Sequence, residues 1–344
     1  MKQVGLVAIG RNEGSRLRQC LMQAKGQVAW VVYVDSGSTD GSLELARSIG
    51  AHTVELDLST PFTAARARNE GFARLLQLAP DIEFVQFVDG DCEIVDGWLE
   101  LAQQELAAKP ELAVVCGRRR ERFPNTTAYN RLCDIEWDTP IGEAKACGGD
   151  SMMRVKAFEQ VGGFNPALIA GEEPELCVRL RQNGWKIERL DAEMTLHDAR
   201  MTGFDQWWKR SQRAGHAYAE GSWLHGNTPE GHWVKDTVSI WLWGFVLPVL
   251  ALGTAWFTHG WSLWLLAGYP ILTYRIYRRM QQRNLPAKES ALYAISCAIG
   301  RFPQLQGQIQ FHQRRLLGQR SNLIEYKTSS PSIEQVRISA KSTK

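Results

Sequence analysis

"FVQFVDGDCEI", residues 84–94, runs an apolar, aromatic-rich segment straight into Asp89-Gly90-Asp91. Phe84–Val88 has the residue types of a buried strand, and two like charges at its end are costly unless something neutralises them. Side chains two apart on an extended chain share a face, so Asp89 and Asp91 are expected to converge on one cation, with Gly90 letting a ligand approach the backbone. Oxygen donors favour Mg²⁺ or Mn²⁺, which need only one or two carboxylates when phosphates and water complete the shell. An isolated D-x-D in a solvated turn is the alternative, and the segment's surroundings bear on the choice.

Upstream, "VGLVAI" (4–9), "WVVYV" (30–34), "TVELDL" (53–58) and "FVQFV" alternate with helical patterns such as "SRLRQCLMQAKG" and "SLELARSIG". This spacing predicts parallel strands with helices on both faces, and ligands of such sheets bind beyond the carboxyl ends of the strands. The residues found there are polar: "GRNEG" (10–14), "DSGSTDGS" (35–42) and the DGD. No G-x-G-x-x-G or G-x-x-x-x-G-K-[ST] stands at a strand–helix junction, which argues against a dinucleotide or P-loop cradle. A carboxylate such as Asp35 suits base N–H groups or ribose hydroxyls better than phosphate. Asp40 and Ser42 read as a turn and a helix cap.

The net charge of +3 conceals a basic stretch of +10 from Arg275 to Lys344 against −7 in the rest of the chain. Thr237–Tyr274 contains no Asp, Glu, Lys or Arg. Within it, "VSIWLWGFVLPVLALGTAWF" (238–257) is long enough for a helix to cross a bilayer, whereas "WSLWLLAGYPILTY" (261–274) is shorter. The pair predicts a transmembrane or re-entrant hairpin turning at His259–Gly260. A buried hairpin in a soluble domain fits the same composition. Arg275, Arg278, Arg279 and Arg283 follow directly, placing that end in the cytoplasm by the positive-inside rule. Nine of the 13 tryptophans lie between Met201 and Pro270, and Trp207, Trp208, Lys209, Arg210 and Arg213 have the composition of an interfacial helix. The basic residues gather beside the apolar segment rather than along an aromatic groove, so nucleic acid is not an expected partner. Seven cysteines without a C-x-x-C pair argue against a disulfide framework and for a cytosolic setting, and the N-terminal stretch lacks an export pattern.

The order Asn12–Glu13, "VDSGSTDGS", "ARARNEG", "DGD", "GGDSMMRVKAFEQVGGFN" and "GEEPELCVRLRQNGW" resembles the family 2 inverting glycosyltransferases of the GT-A fold. The resemblance covers about residues 4–190. The tryptophan-rich segment and "LIEYK" (323–327) are similar to a membrane-associated, polysaccharide-synthesising branch. It implies an α/β fold with a Rossmann-like mixed sheet, a nucleotide-diphosphate sugar donor held by Asn12, Glu13, Asp35, Ser36, Arg68, Asn69, Asp89, Gly90 and Asp91, and a metal at Asp89 and Asp91. His197, in "MTLHDAR", is a further metal or diphosphate candidate; a structural histidine is the plainer reading. Asp150, Arg154, Glu172, Trp208, Arg210 and Arg213 fall on the acceptor side. Gly171, Pro174 and Asn183–Gly184 bracket a helix with Glu172 and Glu173 in its first turn. The family uses the second acid of this pair as general base, which assigns Glu173. Arg118, Arg119, Arg120 and Arg122 of "GRRRER" read mostly as a solvated edge.

The expected organisation is a catalytic domain over 1–200, with a nucleotide-sugar half to about 95 and an acceptor half beyond. Interfacial helices over 201–236, the apolar hairpin over 237–280 and a basic cytoplasmic segment over 281–344 follow. The implied activity is transfer of a sugar to a lipid-linked or membrane-proximal glycan at the cytoplasmic face of the inner membrane. The alternatives are a polyprenyl-phosphate sugar synthase, with phosphate as nucleophile, and a non-catalytic nucleotide-sugar-binding scaffold.

Overall fold

A computed structural model of the protein describes residues 3–319 and 324–325. Most of "LIEYK" and all of 326–344 lie outside the described residues. The first half is built as β1 (Val4–Gly10), α1 (Ser15–Ala24), β2 (Trp30–Asp35), α2 (Ser42–Ile49), β3 (His52–Glu55), α3 (Ala64–Leu78) and β4 (Phe84–Asp89). There follow β5 (Cys92–Ile94), α4 (Trp98–Ala108), β6 (Leu112–Glu121), α5 (Ala128–Trp137), β7 (Gly142–Glu143), β8 (Ser151–Arg154), α6 (Val155–Gln160), α7 (Glu172–Gln182) and β9 (Lys186–His197).

Among the described residues the strands form one nine-stranded sheet in the order β3-β2-β1-β4-β8-β6-β9-β5, with β7 beside β9. The four strands of the first half are parallel, as their alternation with helices predicts. Strand β8 then enters antiparallel to β4 and β6, which makes the sheet mixed. The apolar runs that define β1 and β4 are buried almost throughout, as parallel strands covered on both faces require. Because β1, β2 and β4 point the same way, Gly10, Asp35 and Asp89 finish at one edge. This edge is where the site forms.

The second half is helical: α8 (Phe204–His225), α9 (Val234–Trp241), α10 (Leu247–Gly253), α11 (Gly268–Gln282) and α12 (Ala287–Leu316). A π turn over Leu242–Val246 joins α9 to α10, and a 3₁₀ segment over Trp261–Ala267 precedes α11. The paired tryptophans at the start of α8 are engaged within the protein. Trp207 is buried with Leu132, Cys133, Ala199 and Met201, while Trp208 donates from Nε1 to Gln306 Oε1 at 2.9 Å. Of the basic stretch after residue 281, the described part is mostly α12, which packs along α8. Their backbones meet where a side chain would not fit: a Cβ on Gly215 would lie 2.0 Å from the Gln304 carbonyl oxygen, and one on Gly307 would lie 1.9 Å from that of Gln212. Helices approach this closely only through residues without side chains.

This crossing gives the first prediction. In Gly215→Ala the methyl group meets rigid backbone, so α8 and α12 must separate. The expected cost is about 1–3 kcal/mol, read as a lower urea midpoint with unchanged slope. A midpoint equal to the parent's would show that the crossing does not limit stability.

Candidate active site

The loops after β1 and β2 are laced together. Asn12, in the left-handed region at φ 57°, accepts the Thr39 N–H on Oδ1 at 2.7 Å, and its own N–H donates to Ser38 Oγ at 2.9 Å. Asp35 accepts the N–H groups of Gly37 (3.0 Å) and Ser38 (2.8 Å) on Oδ2 and the Tyr33 hydroxyl on Oδ1 (3.0 Å). Burial and this neighbouring carboxylate push the Tyr33 phenol upward. Ser36 is buried and donates its N–H to the Gly10 carbonyl at 3.0 Å. Asp35 thus spends most of its acceptor capacity on the shape of its own loop. Glu13 pairs with Arg16 at 2.5 Å.

The two aspartates of the DGD part company. Strand β4 ends at Asp89 and the chain turns through Gly90 and Asp91 before β5, so the extended geometry that would aim both carboxylates at one point does not hold. Asp89 binds Arg68 Nη2 and Arg119 Nη2, each at 2.8 Å. Asp91 lies 3.1 Å from His197 Nε2, with Arg16 at 3.9 Å. Asp91 thus stands beside His197, while Asp89 is held by two guanidinium groups. Gly90 approaches β1 rather than open space, donating its N–H to the Ile9 carbonyl at 2.7 Å.

Asp91, Cys92 and His197 bring potential ligand atoms within 4.8 Å of one another. His197 Nδ1 is buried without a hydrogen-bond partner among the described residues, and Trp137 lies against the ring at 4.7 Å. Burial pushes the Cys92 thiol well up despite Arg119, and its soft sulfur is a poor donor for a hard cation. One carboxylate and one imidazole are donors that Mn²⁺ or Mg²⁺ can take.

From Asp89 a line of alternating charges crosses the sheet edge. Arg68, 2% exposed on α3, also holds Glu172 Oε1 at 2.8 Å. Arg119, on β6, holds Asp150 at 2.9 Å through Nε. Burial disfavours both guanidinium charges, and the flanking carboxylates outweigh it. Asp150 accepts the Thr195 hydroxyl at 2.7 Å and the Asp89 N–H at 3.0 Å. It is a buried support for Asp89, not an acceptor-facing group as expected.

Three other assignments also change. Asn69 makes a reciprocal pair with the Phe164 backbone at 2.8 and 3.0 Å and staples α3 to the loop before α7 rather than facing a nucleotide. Arg154 lies across from Phe84, at the opposite end of β4 from Asp89, and donates to the carbonyls of Leu106 and Lys109 at the end of α4 and of Leu112 at the start of β6. Trp208 belongs to the α8–α12 packing described above.

Glu172 and Glu173 open α7 after Gly171 at φ 78°. Burial, then the Glu172 charge, raise the Glu173 carboxyl to about 7, against a lowering by Arg68. A side chain on Gly149 would meet Arg68, Asp89 and Glu173, so its absence lets the Asp150 turn close over the charge line. Beyond Glu173 opens a cleft of about 630 Å³ whose other wall is α8 and α12, with Arg210, Arg213, Tyr218, Tyr293 and Arg301. Arg210 and Arg213 thus line the same cleft as Glu173, and Arg210 also binds Glu136 at 2.6 Å.

The sequence reading missed Arg119 and the contribution of α12. Register shifts on either side of Arg118 in the β6–β9 pairing turn two consecutive arginines inward, Arg118 to Asp134 at 3.0 Å and Arg119 to Asp89. Only Arg120 remains on an exposed edge, with Glu193. The bulge leaves no composition signal. The wall of Tyr293 and Arg301 comes from a helix more than a hundred residues after Glu173, and only packing brings it there.

A mixed sheet with nucleotide-type loops at the ends of β1 and β2 and an acidic strand end at β4 is the arrangement of a GT-A-type sugar transferase. Residues 7–162 match Glycosyl transferase family 2, and residues 133–203 match the family described as the N-terminal domain of galactosyltransferase. The chain thus carries a family 2 glycosyltransferase domain. The chain shares its fold with the mannosyltransferase PcManGT from Pyrobaculum calidifontis, solved in complex with GDP-Man and Mn²⁺. That comparison has a TM-score of 0.57 and 16% identity over 90% of this chain and 87% of the other.

Among curated relatives, the pre-mycofactocin glycosyltransferase of Mycobacterium tuberculosis is 27% identical over 58% of this chain and 43% of its own length. The succinoglycan biosynthesis protein ExoA of Rhizobium meliloti is 25% identical over 52% of this chain and 58% of its own. Glycosyltransferase AglE of Haloferax volcanii is 24% identical over 56% and 66%. The chain therefore spans between about a third and two-thirds of the length of the curated relatives it matches.

The charge line gives the second prediction. Arg119→Met leaves the buried Asp150 without its cation and the half-buried Asp89 with Arg68 alone, at an expected cost of about 3–5 kcal/mol. Urea denaturation reads this. A loss below about 1 kcal/mol would mean that Asp89 and Asp150 find solvent instead.

Proposed function

We propose that the protein is an inverting, metal-dependent glycosyltransferase that moves a sugar from a nucleoside-diphosphate donor to a hydroxyl of a lipid-linked or membrane-proximal glycan. The observation that carries this is Glu173, a carboxylate poised to accept a proton near neutrality between the Arg68–Asp89 line and an open cleft. Inverting displacement needs one base on the acceptor side and charge neutralisation on the leaving diphosphate. The laced loops of Asn12 and Asp35 are placed to frame the nucleoside, and Asp89, fixed by two guanidinium groups, to orient the donor beside them. Asp91 and His197 would hold Mn²⁺ or Mg²⁺, which when bound offsets the negative charge of the diphosphate. Glu173 takes the acceptor proton as the hydroxyl attacks the anomeric carbon. Arg210, Arg213 and the aromatic wall position the acceptor. Support for a nucleotide sugar and a glycan product comes from the relatives, named for mycofactocin and succinoglycan synthesis, and from the shared fold with PcManGT.

A phosphate nucleophile would need no base, and the raised Glu173 favours a hydroxyl acceptor over a polyprenyl phosphate. A membrane location is favoured by Val234–Gly253, which is 20 residues long with a mean hydropathy of 1.5 and only 17% of its apolar window buried. On this reading the enzyme sits at the cytoplasmic face of the inner membrane.

Glu173→Gln keeps shape and removes basicity, so kcat should fall by roughly 10²–10⁴-fold while donor affinity is kept. Unchanged kcat would remove Glu173 from the chemistry. The base must be deprotonated, so log kcat/KM should rise with pH up to about 7 and then level off. Glu172→Gln removes the charge that holds Glu173 up, and the limb should move to lower pH. A limb that stays or moves upward would contradict that coupling.

A further inference from the structure

The apolar hairpin divides into an anchored base and a free tip. At the base, Thr237 donates to the Tyr218 carbonyl at 3.1 Å, Ile240 is fully buried, and a Cβ on Gly244 would stand 2.9 Å from the Arg301 carbonyl of α12. On the returning arm, Tyr269 donates to the Trp243 carbonyl and its ring stacks on Phe302 at 6.1 Å. Between these anchors, α10 and the 3₁₀ segment pack principally on each other. The tip they form exposes Trp256 (87%), Phe257 (82%), Trp261 (75%) and Trp264 (73%).

The tip also hides its own polar groups. Thr254 Oγ1 donates to Leu250 O at 2.7 Å, Thr258 Oγ1 to Thr254 O at 2.9 Å, and Ser262 Oγ to Ala251 O at 2.7 Å. In the turn, the N–H groups of Thr254, Ala255, Thr258, His259, Gly260 and Trp261 bond back along the chain, and that of Ser262 donates to Thr258 Oγ1. Hydroxyls and amides folded inward beneath exposed indoles suit a medium that offers no hydrogen bonds.

Its reach is short. Helix α10, Leu247–Gly253, rises about 10 Å, and seven residues of 3₁₀ helix rise about 14 Å, each no more than about half of the about 30 Å hydrocarbon core. Arg275, Arg278 and Arg279 follow the returning arm, at the level where anionic headgroups would meet them. Ile295, Ile299 and Phe302 continue the exposed apolar surface along α12 at the base.

We propose that residues 247–267 dip into a single leaflet and return, so that the hairpin is a monotopic anchor and does not cross the bilayer. This rests on the membrane reading above, and it keeps the catalytic sheet and α12 against the same face.

The test uses the full-length protein labelled with a nitrobenzoxadiazole dye at Phe257→Cys, against Lys25→Cys on the sheet domain. Both are bound to vesicles of phosphatidylcholine and phosphatidylglycerol. Lipids spin-labelled at mid-chain should quench the dye at 257 more than those labelled near the headgroup. Iodide added to either side should quench it at least several-fold less than the dye at 25. Iodide quenching at 257 from the side opposite residue 25 would overturn the proposal in favour of a spanning hairpin. Quenching from the same side, with little by lipid, would place the tip in water. Absence of both iodide and lipid quenching would mean that another copy of the chain covers the tip. Vesicle binding, scored by flotation, separates these outcomes from failure of the membrane reading itself, in which neither protein floats. Glu173→Gln turnover tests the chemistry independently.

Discussion

Arg68 holds Asp89 on one side and Glu172 on the other, each at 2.8 Å, while almost wholly removed from water. Arg119 extends the same alternation from Asp89 to Asp150. Charges this deep are costly singly and tolerable only in sequence, since each carboxylate needs the guanidinium beside it. The line joins α3, β4, β6, the turn before β8 and the first turn of α7 into one electrostatic unit. It fixes Asp89 and leaves Asp91 to His197. It also sets the field at Glu173, where burial and Glu172 raise the carboxyl and Arg68 opposes them.

The two sides of the cleft come from different physics. Parallel strands deliver the donor-side loops together because consecutive strand–helix units all point one way. The far wall of the cleft depends on α12 lying close enough to α8 to bring Tyr293 and Arg301 opposite Glu173, and that approach rests on Gly215 and Gly307, where a methyl group has no space. Glycines that carry no chemistry thus decide whether the cleft has a second wall.

The same helix couples the cleft to the apolar hairpin. Arg301 lines the cleft, and its carbonyl lies under Gly244 at the hairpin base. Phe302, the next residue, stacks on Tyr269 of the returning arm. The cleft and the base of the apolar hairpin therefore share one helix. The arrangement explains why tryptophans are abundant from 201 onward yet serve two ends, with Trp207 buried in packing and Trp256 and Trp261 at the tip.

Local pattern was enough to reveal the alternating strands and helices, the polar strand ends at 10–14, 35–42 and 89–91, the helix opened by Glu172 and Glu173, and the uncharged stretch 237–274. Each is written in periodicity, caps or composition over a few residues, and the order of motifs pointed to a family 2 transferase. What local pattern does not contain is partnership across the sheet. The assignment of Asp89 to two arginines, the pairing of Asp91 with His197, the inward turn of Arg119 at a bulge and the diversion of Asn69, Asp150 and Arg154 to structural roles all depend on which strands become neighbours. A carboxylate's identity is local, but its partner and hence its pKa and role are set by distances between segments a hundred residues apart, and only the tertiary structure decides those.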